Sequence, residues 1–312
     1  MWNRTLVTEF IIQGFSDIRD LQILYFVAFL VVYIITVVGN LVIIILTRAD
    51  SGLSTPMYFF LGNLSFLDVF YVSTTVPKML ASFLINKKVI SFYGCAAQLY
   101  FFLFLASTES IVLASMAYDR YVAICNPLRY VILMNRRVCI QMIVASWLIG
   151  NIYAVIHTVS TFHLPFCGSN IINHFFCDIT ALLNIACANT YVNEVLVFAV
   201  GGILMLGCGL LILISYMHII SSVLKIPSGQ GRSKAFSTCI SHLIVVMLFY
   251  GTGGFMYMRP ISSYSVNKDS AIAVFYTVIT PMLNPIIYSL RNKEIKEAMR
   301  KMISKKIFSY RH

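Results

Sequence analysis

The feature that most limits this chain is a set of long apolar runs without charge. Residues 21–47, 138–156, 195–224, 235–258 and 270–290 contain no Asp, Glu, Lys or Arg. Two further runs, 55–76 and 91–118, hold one acid each, Asp68 and Glu109. A helix crosses the hydrocarbon core of a bilayer in roughly 20 residues, so each run is long enough to span it. The longer runs exceed the bilayer and are expected to tilt or protrude. Unbroken hydrophobicity over such lengths excludes the alternating pattern of a membrane β-barrel. Composition agrees: the chain is 59% hydrophobic and 11% charged, against roughly 45–50% and about 25% in soluble domains. It cannot clothe a soluble globule in polar side chains, which excludes a cytosolic enzyme, a disulfide miniprotein and a disordered protein. The predicted fold is an all-α membrane protein, a seven-transmembrane helix bundle that forms one domain over 1–312. Its spans are placed at about 21–47, 55–80, 91–125, 138–162, 195–224, 234–259 and 269–290.

The net charge of +11 would suit a nucleic-acid binder if it were clustered on one soluble face. It follows the spans instead. An odd number of crossings puts the termini on opposite sides. Arg4, Arg19, Lys78, Lys87, Lys88, Arg259 and Lys268 fall on one side, and the remaining 16 of the 23 basic residues on the side of the C-terminus. The positive-inside rule then places 1–20 outside and 291–312 in the cytoplasm. The bases are expected to contact anionic lipid, and no nucleic-acid partner is expected. No cleavable signal peptide is expected either, because the first 20 residues hold Glu9, Asp17 and Asp20 and lack a basic segment before an apolar core. Asn3-Arg4-Thr5 is a glycosylation sequon on the outer side, whereas Asn63-Leu64-Ser65 lies within a span and should stay bare. Cys95, Cys167, Cys177 and Cys187 share the oxidising side and can form two disulfides in three connectivities. Cys125, Cys139 and Cys239 sit near the reducing side, and Cys208 is a packing residue in span five.

Polar groups inside such a bundle should face inward. Asp68 and Glu109 cannot both ionise close together unless a cation separates them; either one is protonated, or an ion such as Na+ sits between. Asn40, Asn284 and Ser110 are candidates to supply further oxygens, and a neutral network that only packs helices is the alternative. At the end of span three, Asp119-Arg120-Tyr121 is a charge element with two states, in which Arg120 pairs with Asp119 or releases it to face a cytoplasmic partner. Asn284-Pro285-Ile286-Ile287-Tyr288 ends span seven, where Pro285 removes a backbone donor and loosens the helix. Beyond it, 291–308 reads as a basic amphipathic helix on the membrane surface, with Ile295, Met299, Met302 and Ile303 on one face. His157, His163 and His174 lie at no zinc-ligand spacing, and no nucleophile elbow is present, so neither a metal site nor an enzyme is expected. A transporter would be expected to show internal repeats, and none is visible.

Several of these stretches together resemble the rhodopsin-like G-protein-coupled receptors, and more narrowly the class II (tetrapod-type) odorant receptors. The resemblance covers essentially the whole chain. It rests on Gly39-Asn40; on Pro56-Met57-Tyr58-Phe59-Phe60-Leu61 leading to Leu64-Ser65-Phe66-Leu67-Asp68; and on Met116-Ala117-Tyr118-Asp119-Arg120-Tyr121-Val122-Ala123-Ile124-Cys125, the most diagnostic stretch. Ser215-Tyr216 in span five, Lys234-Ala235-Phe236-Ser237-Thr238-Cys239 with Ser241-His242-Leu243, and Pro281-Met282-Leu283-Asn284-Pro285-Ile286-Ile287-Tyr288 complete it. The chain has Phe249-Tyr250-Gly251 where many rhodopsin-like receptors carry Cys-Trp-x-Pro, and Glu109 where many have serine. Both departures are shared with odorant receptors.

The resemblance implies an odorant receptor of the plasma membrane, acting through a stimulatory, olfactory-type G protein that raises cyclic AMP. No cofactor is required. It implies disulfides Cys95–Cys177 and Cys167–Cys187, with Cys95–Cys187 as the alternative pairing. Asp119, Arg120, Tyr121, Tyr216, His242, Asn284, Pro285 and Tyr288 would carry coupling to the G protein. The segment His174-Phe175-Phe176-Cys177-Asp178 is similar to one proposed to bind copper in thiol-sensing receptors, a role that a disulfide at Cys177 would preclude. The ligand pocket would lie among the outer halves of spans three, five, six and seven. On span three, Phe102, Leu103, Ala106, Ser107 and Ser110 share a face by their spacing. Ile203, with Val200 and Leu204, is the expectation on span five; Gly253, Gly254 and Tyr257, above Tyr250, on span six; and Thr277 on span seven. Taken singly, each apolar residue would serve equally well for helix packing. The apolar stretch Tyr100 to Leu105 offers no partner for a ligand ammonium, so the expected ligand is small, neutral and mostly hydrophobic.

Overall fold

A computed structural model describes residues 7–14, 18–85, 88–167, 169–225, 229–258 and 266–309. Asn3 lies outside the described residues, as does the side chain of Ile303. Seven helices are long and apolar enough to cross a membrane: span one, Arg19–Ala49; span two, Pro56–Leu84; span three, Phe92–Cys125; span four, Arg136–Phe162; span five, Tyr191–Leu224; span six, Cys239–Tyr257; and span seven, Asp269–Ser289. An eighth helix, Lys293–Ser309, follows span seven. On it Ile295 is buried and Met299 and Met302 pack on the core.

The helices are apolar outside as well as inside. Val27, Val31 and Ile34 of span one, and Leu206, Leu210 and Leu213 of span five, are exposed. Asn40, Asp68, Glu109, Asp119 and Asn284 are buried in the bundle. That inversion suits hydrocarbon as the surrounding solvent.

Local chemistry explains where the helices start and how closely they pack. Pro56 opens span two at a position where its missing N–H costs nothing. Ser91 and Asn135 cap spans three and four by accepting from the amides of Gly94 and Val138, at 3.1 Å each. Span two runs four residues past its expected end, to Leu84, and Lys78 within it donates its amine to the carbonyl of Val89, 2.7 Å away. Spans three and four meet at Gly150, where an added Cβ would come within 2.2 Å of Thr108 Oγ1. Spans one and seven meet at Gly39, 3.1 Å from the ring of Pro285 by the same measure.

One feature lies outside the all-helical expectation. β1 (Glu9–Ile12) pairs antiparallel with β2 (Val89–Ser91) and parallel with β3 (Ile171–Ile172). The register sets Phe10 opposite Ile90 and Ile11 opposite Ile171. Phe10 and Ile12 point inward and are buried. This small sheet ties the segment before span one to the loops before span three and after span four. The cysteines pair as Cys95–Cys177 and Cys167–Cys187, so the alternative Cys95–Cys187 is not formed. Cys125, Cys139, Cys208 and Cys239 are free thiols.

Candidate ligand pocket and switch region

A cavity opens among spans three, five, six and seven beneath the loop that carries Cys177. The space open to the centre of a water-sized sphere is about 80 Å³, several times what one water molecule needs. Span three contributes Phe102, Leu103, Ala106, Ser107 and Ser110, and span six Phe249, Gly253, Tyr257 and, at its end, Met258. Of the pocket residues expected from the sequence, these bring together Phe102, Leu103, Ala106, Ser107, Ser110, Gly253 and Tyr257.

Five expected residues, Val200, Ile203, Tyr250, Gly254 and Thr277, lie off the lining, whereas the expected Leu204 is on it. Ile203 is 75% exposed on the outside of span five, and the neighbours Leu204 and Met205 line the cavity in its place. Thr277 is buried, with its hydroxyl donating to the carbonyl of Ala273 at 2.6 Å, and Tyr276 lines the cavity instead. Ile203 follows a five-residue π-helical turn at Val197–Gly201, and Thr277 lies within another at Phe275–Ile279. A helical phase counted at 3.6 residues per turn slips on passing such a turn. Gly254 is off the lining. Tyr250 lies beneath the floor, its hydroxyl 2.8 Å from Ser110 Oγ and donating to the Ser110 carbonyl at 2.8 Å. Ser110 therefore turns to Tyr250 and not to the acid pair, as had been expected.

The lining residues that sequence reasoning missed are Tyr71, Tyr153, Ile179, Val197, Gly201 and Met205, together with the Phe249, Met258 and Tyr276 already placed above. Most come from elements whose rotation no local pattern fixes. Above the pocket, the disulfide of Cys177 to Cys95 pins the loop, and the Cys177 amide donates to Gln98 Oε1 at 2.9 Å. The next residue, Asp178, is fully buried. One of its oxygens accepts from Tyr257 Oη at 2.7 Å. The other caps the short helix Ile179–Ile185, accepting from the amide of Thr180 at 3.1 Å and from the Thr180 hydroxyl. Tyr257 Oη is also 3.2 Å from Tyr276 Oη. The lid, span six and span seven thus meet around the Tyr257 hydroxyl, which bonds Asp178 on one side and faces Tyr276 on the other. Among the described residues no charged side chain lines the cavity.

Deeper in the bundle, Asn284 Nδ2 donates to both oxygens of Asp68, at 3.1 and 3.0 Å. Asn40 Nδ2 donates to the carbonyl of Pro281 at 3.1 Å. Glu109 is close enough to Asp68 for their charges to interact. Among the described residues neither Glu109 oxygen nor Asn284 Oδ1, all of them buried, has a donor within hydrogen-bonding distance, although the Asn284 amide is also near Glu109. A cluster of acceptors of this kind is matched to a cation or a proton.

At the opposite end from the lid, Asp119 accepts from the hydroxyl of Tyr130 at 2.9 Å and is held there, not by an ion pair with Arg120. Burial, then the charge of Asp119, pushes the Tyr130 hydroxyl above its ordinary pKa. Tyr216 Oη lies 2.7 Å from His242 Nδ1, and His242 Nε2 lies 3.1 Å from the carbonyl of Leu113. A carbonyl only accepts, so the ring proton belongs on Nε2 and Tyr216 donates to Nδ1. These bonds join spans three, five and six. Tyr288 Oη is buried with no hydrogen-bond partner among the described residues. Tyr121 packs on His218, with ring centroids 5.5 Å apart. No group of three or more metal-ligating side chains occurs among the described residues.

Over residues 29–306 the sequence matches the olfactory receptor family. The chain belongs to that family. It is 53% identical over 304 residues to olfactory receptor 5AR1 of Mus musculus, covering 97% of this chain and 98% of that one. It is 52% identical over 307 residues to olfactory receptor 5I1 of Homo sapiens, covering 98% of each. The backbone is similar to the crystal structure of squid rhodopsin, with a TM-score of 0.69 at 18% identity, over 94% of this chain and 88% of that one. The receptor is thus a multi-pass membrane protein of the seven-helix type. It is a signalling protein and not an enzyme, built to take a small ligand and a G protein.

Proposed function

We propose that this receptor binds a small, neutral, mostly hydrophobic volatile molecule and activates a stimulatory, olfactory-type G protein, raising cyclic AMP. The observation that carries the ligand class is the cavity itself. Its wall is apolar except for the hydroxyls of Ser107, Ser110 and the tyrosines, and among the described residues no charged side chain lines it. A ligand with one hydroxyl or carbonyl group would find a partner there, whereas an ammonium or carboxylate would be desolvated without a counter-charge. Ligand seated against Tyr257 acts on Asp178 above it. A preference for the arrangement in which spans six and seven have shifted would then expose Arg120 to the G protein. Tyr216, His242, Tyr250, Asn284, Pro285 and Tyr288 lie between the two ends and would relay the change.

In this reading the receptor sits in the plasma membrane with its N-terminus outside, and its basic inner segments contact anionic lipid. Na+ is the proposed occupant of the acceptor cluster at Asp68, Glu109 and Asn284 Oδ1, where it would hold the agonist-free arrangement. The test is a cyclic AMP assay with a panel of volatile compounds, in cells supplied with the olfactory-type G protein. A dose-dependent response should be lost in Arg120→Ala at equal surface display. Replacing external Na+ by choline should lower the effective agonist concentration in the wild type but not in Glu109→Gln. Intact signalling in Arg120→Ala would overturn the coupling, and equal sodium sensitivity in both proteins would overturn the ion.

A further inference from the structure

A second concavity lies at the other end of the bundle, and ligand binding in the outer cavity does not use it. Its walls are Tyr216, Ile219, Ile220 and Val223 of span five and Cys239, Ile240 and Leu243 of span six. The space open to the centre of a water-sized sphere is about 160 Å³. Its surface is wholly apolar. The one hydroxyl in the wall, of Tyr216, is turned away to His242 and to the carbonyl of Cys239, at 2.7 and 3.5 Å. Water would find no partner in such a space.

Position and charge say what fills it. Tyr216, Ile219 and Val223 are buried at the back, while Ile220 and Ile240 are exposed at the rim. The groove therefore opens sideways between two membrane-crossing helices, toward hydrocarbon. Span five ends at Leu224, one residue beyond Val223, and is capped by the exposed Lys225. The sequence from Lys225 to Thr238 carries Lys225, Arg232 and Lys234 and no acid. Apolar walls with a positive charge at the membrane surface below them match one molecule: a phospholipid with a long acyl chain and an anionic headgroup.

We propose that the groove between spans five and six is a binding site for one acyl chain of an anionic phospholipid, with Lys225 facing its headgroup. The seated chain packs on the ring of Tyr216, which joins span five to span six and, through His242, to span three. This end is the cytoplasmic one in the orientation proposed above. The test does not depend on that, because both leaflets of a nanodisc carry the probe and neither odorant nor G protein is present.

The full-length receptor is placed in nanodiscs that contain trace phosphatidylglycerol or phosphatidylcholine with a diazirine on the acyl chain. After irradiation, the labelled peptides are mapped by mass spectrometry. The phosphatidylglycerol probe should concentrate on 219–223 and 240–243, about threefold or more above the phosphatidylcholine probe. Lys225→Gln should bring the two probes level. Val223→Phe, which fills the groove from span five, and Leu243→Phe, which fills it from span six, should each abolish that label. Both should leave the background label on the exposed face of span one unchanged, which reports that the bundle is intact. Label spread as densely over span one as over the groove would overturn the proposal. So would equal labelling by both lipids in the wild type, or groove labelling that survives in a filled variant with span-one label intact.

Discussion

Asp178 is buried with both oxygens occupied, one by Tyr257 and one by the start of the helix Ile179–Ile185. Its position beside Cys177 gave no hint of this in the sequence, because the partner on span six is 79 residues away. Tyr257 was legible as a pocket residue, since a hydroxyl on an apolar helix face must be satisfied somewhere. His174, four residues before Asp178, makes a different case. It is buried against Phe175 and Phe176, with ring centroids 4.8 and 4.6 Å away. Burial holds its imidazole below the ordinary value of 6.5, against the opposing pull of Asp178 and Asp269. As pH falls through 6.5, the unfolded chain takes up a proton that the folded site resists, so the stability owed to neutral His174 is present above that pH and lost below it. Thermal unfolding of the purified receptor from about pH 8 to about pH 5 should show the wild type losing stability more steeply than His174→Phe. Parallel curves would mean that the imidazole is not kept neutral by burial.

The seven spans were legible because each is a continuous apolar run, a signal that needs no partner to be read. What surrounds them was not. The strand Glu9–Ile12 is four residues long, and its partners Val89–Ser91 and Ile171–Ile172 are distant in sequence. No pattern that short specifies a sheet without its neighbours. The π-helical turns in spans five and seven, near Ile203 and around Thr277, are equally silent. Helix contacts are set by small residues whose meaning appears only in the packed bundle. Gly150 meets Thr108 Oγ1 and the carbonyl of Phe104, at 2.2 and 3.1 Å from an added Cβ, whereas an added Cβ at Gly207 meets nothing within 4 Å. Gly150→Ala should therefore lower stability by about 1–3 kcal/mol through overpacking. It should show as a lower melting temperature and reduced surface display, while Gly207→Ala should be tolerated. Equal behaviour of the two variants would contradict the close approach of spans three and four.

On the scale of the whole molecule, the outer cavity and the far end of the bundle are joined by contacts between residues of different spans. Asp178 meets Tyr257 at the lid, Ser110 meets Tyr250 below the floor, and Asn284 holds Asp68 at mid-depth. Tyr216 meets His242, and Asp119 meets Tyr130, near the other end. The residues of this series within the spans lie in or beside stretches that the sequence made recognisable. The cavity was legible only in part, because its shape is the joint product of several helices and a loop, and each contributes one or two side chains whose direction depends on the rest. The central claim is that this cavity receives the ligand. Ala106 lines it from span three, and Ala106→Phe fills it without touching any of those contacts. The deciding measurement is a cyclic AMP dose–response curve with the strongest agonist of the panel, for wild type and Ala106→Phe at matched surface display. The expected result is an effective concentration raised by about tenfold or more, corresponding to about 1.4 kcal/mol, with basal cyclic AMP unchanged. An unchanged curve in the filled receptor would place the ligand elsewhere and contradict the account.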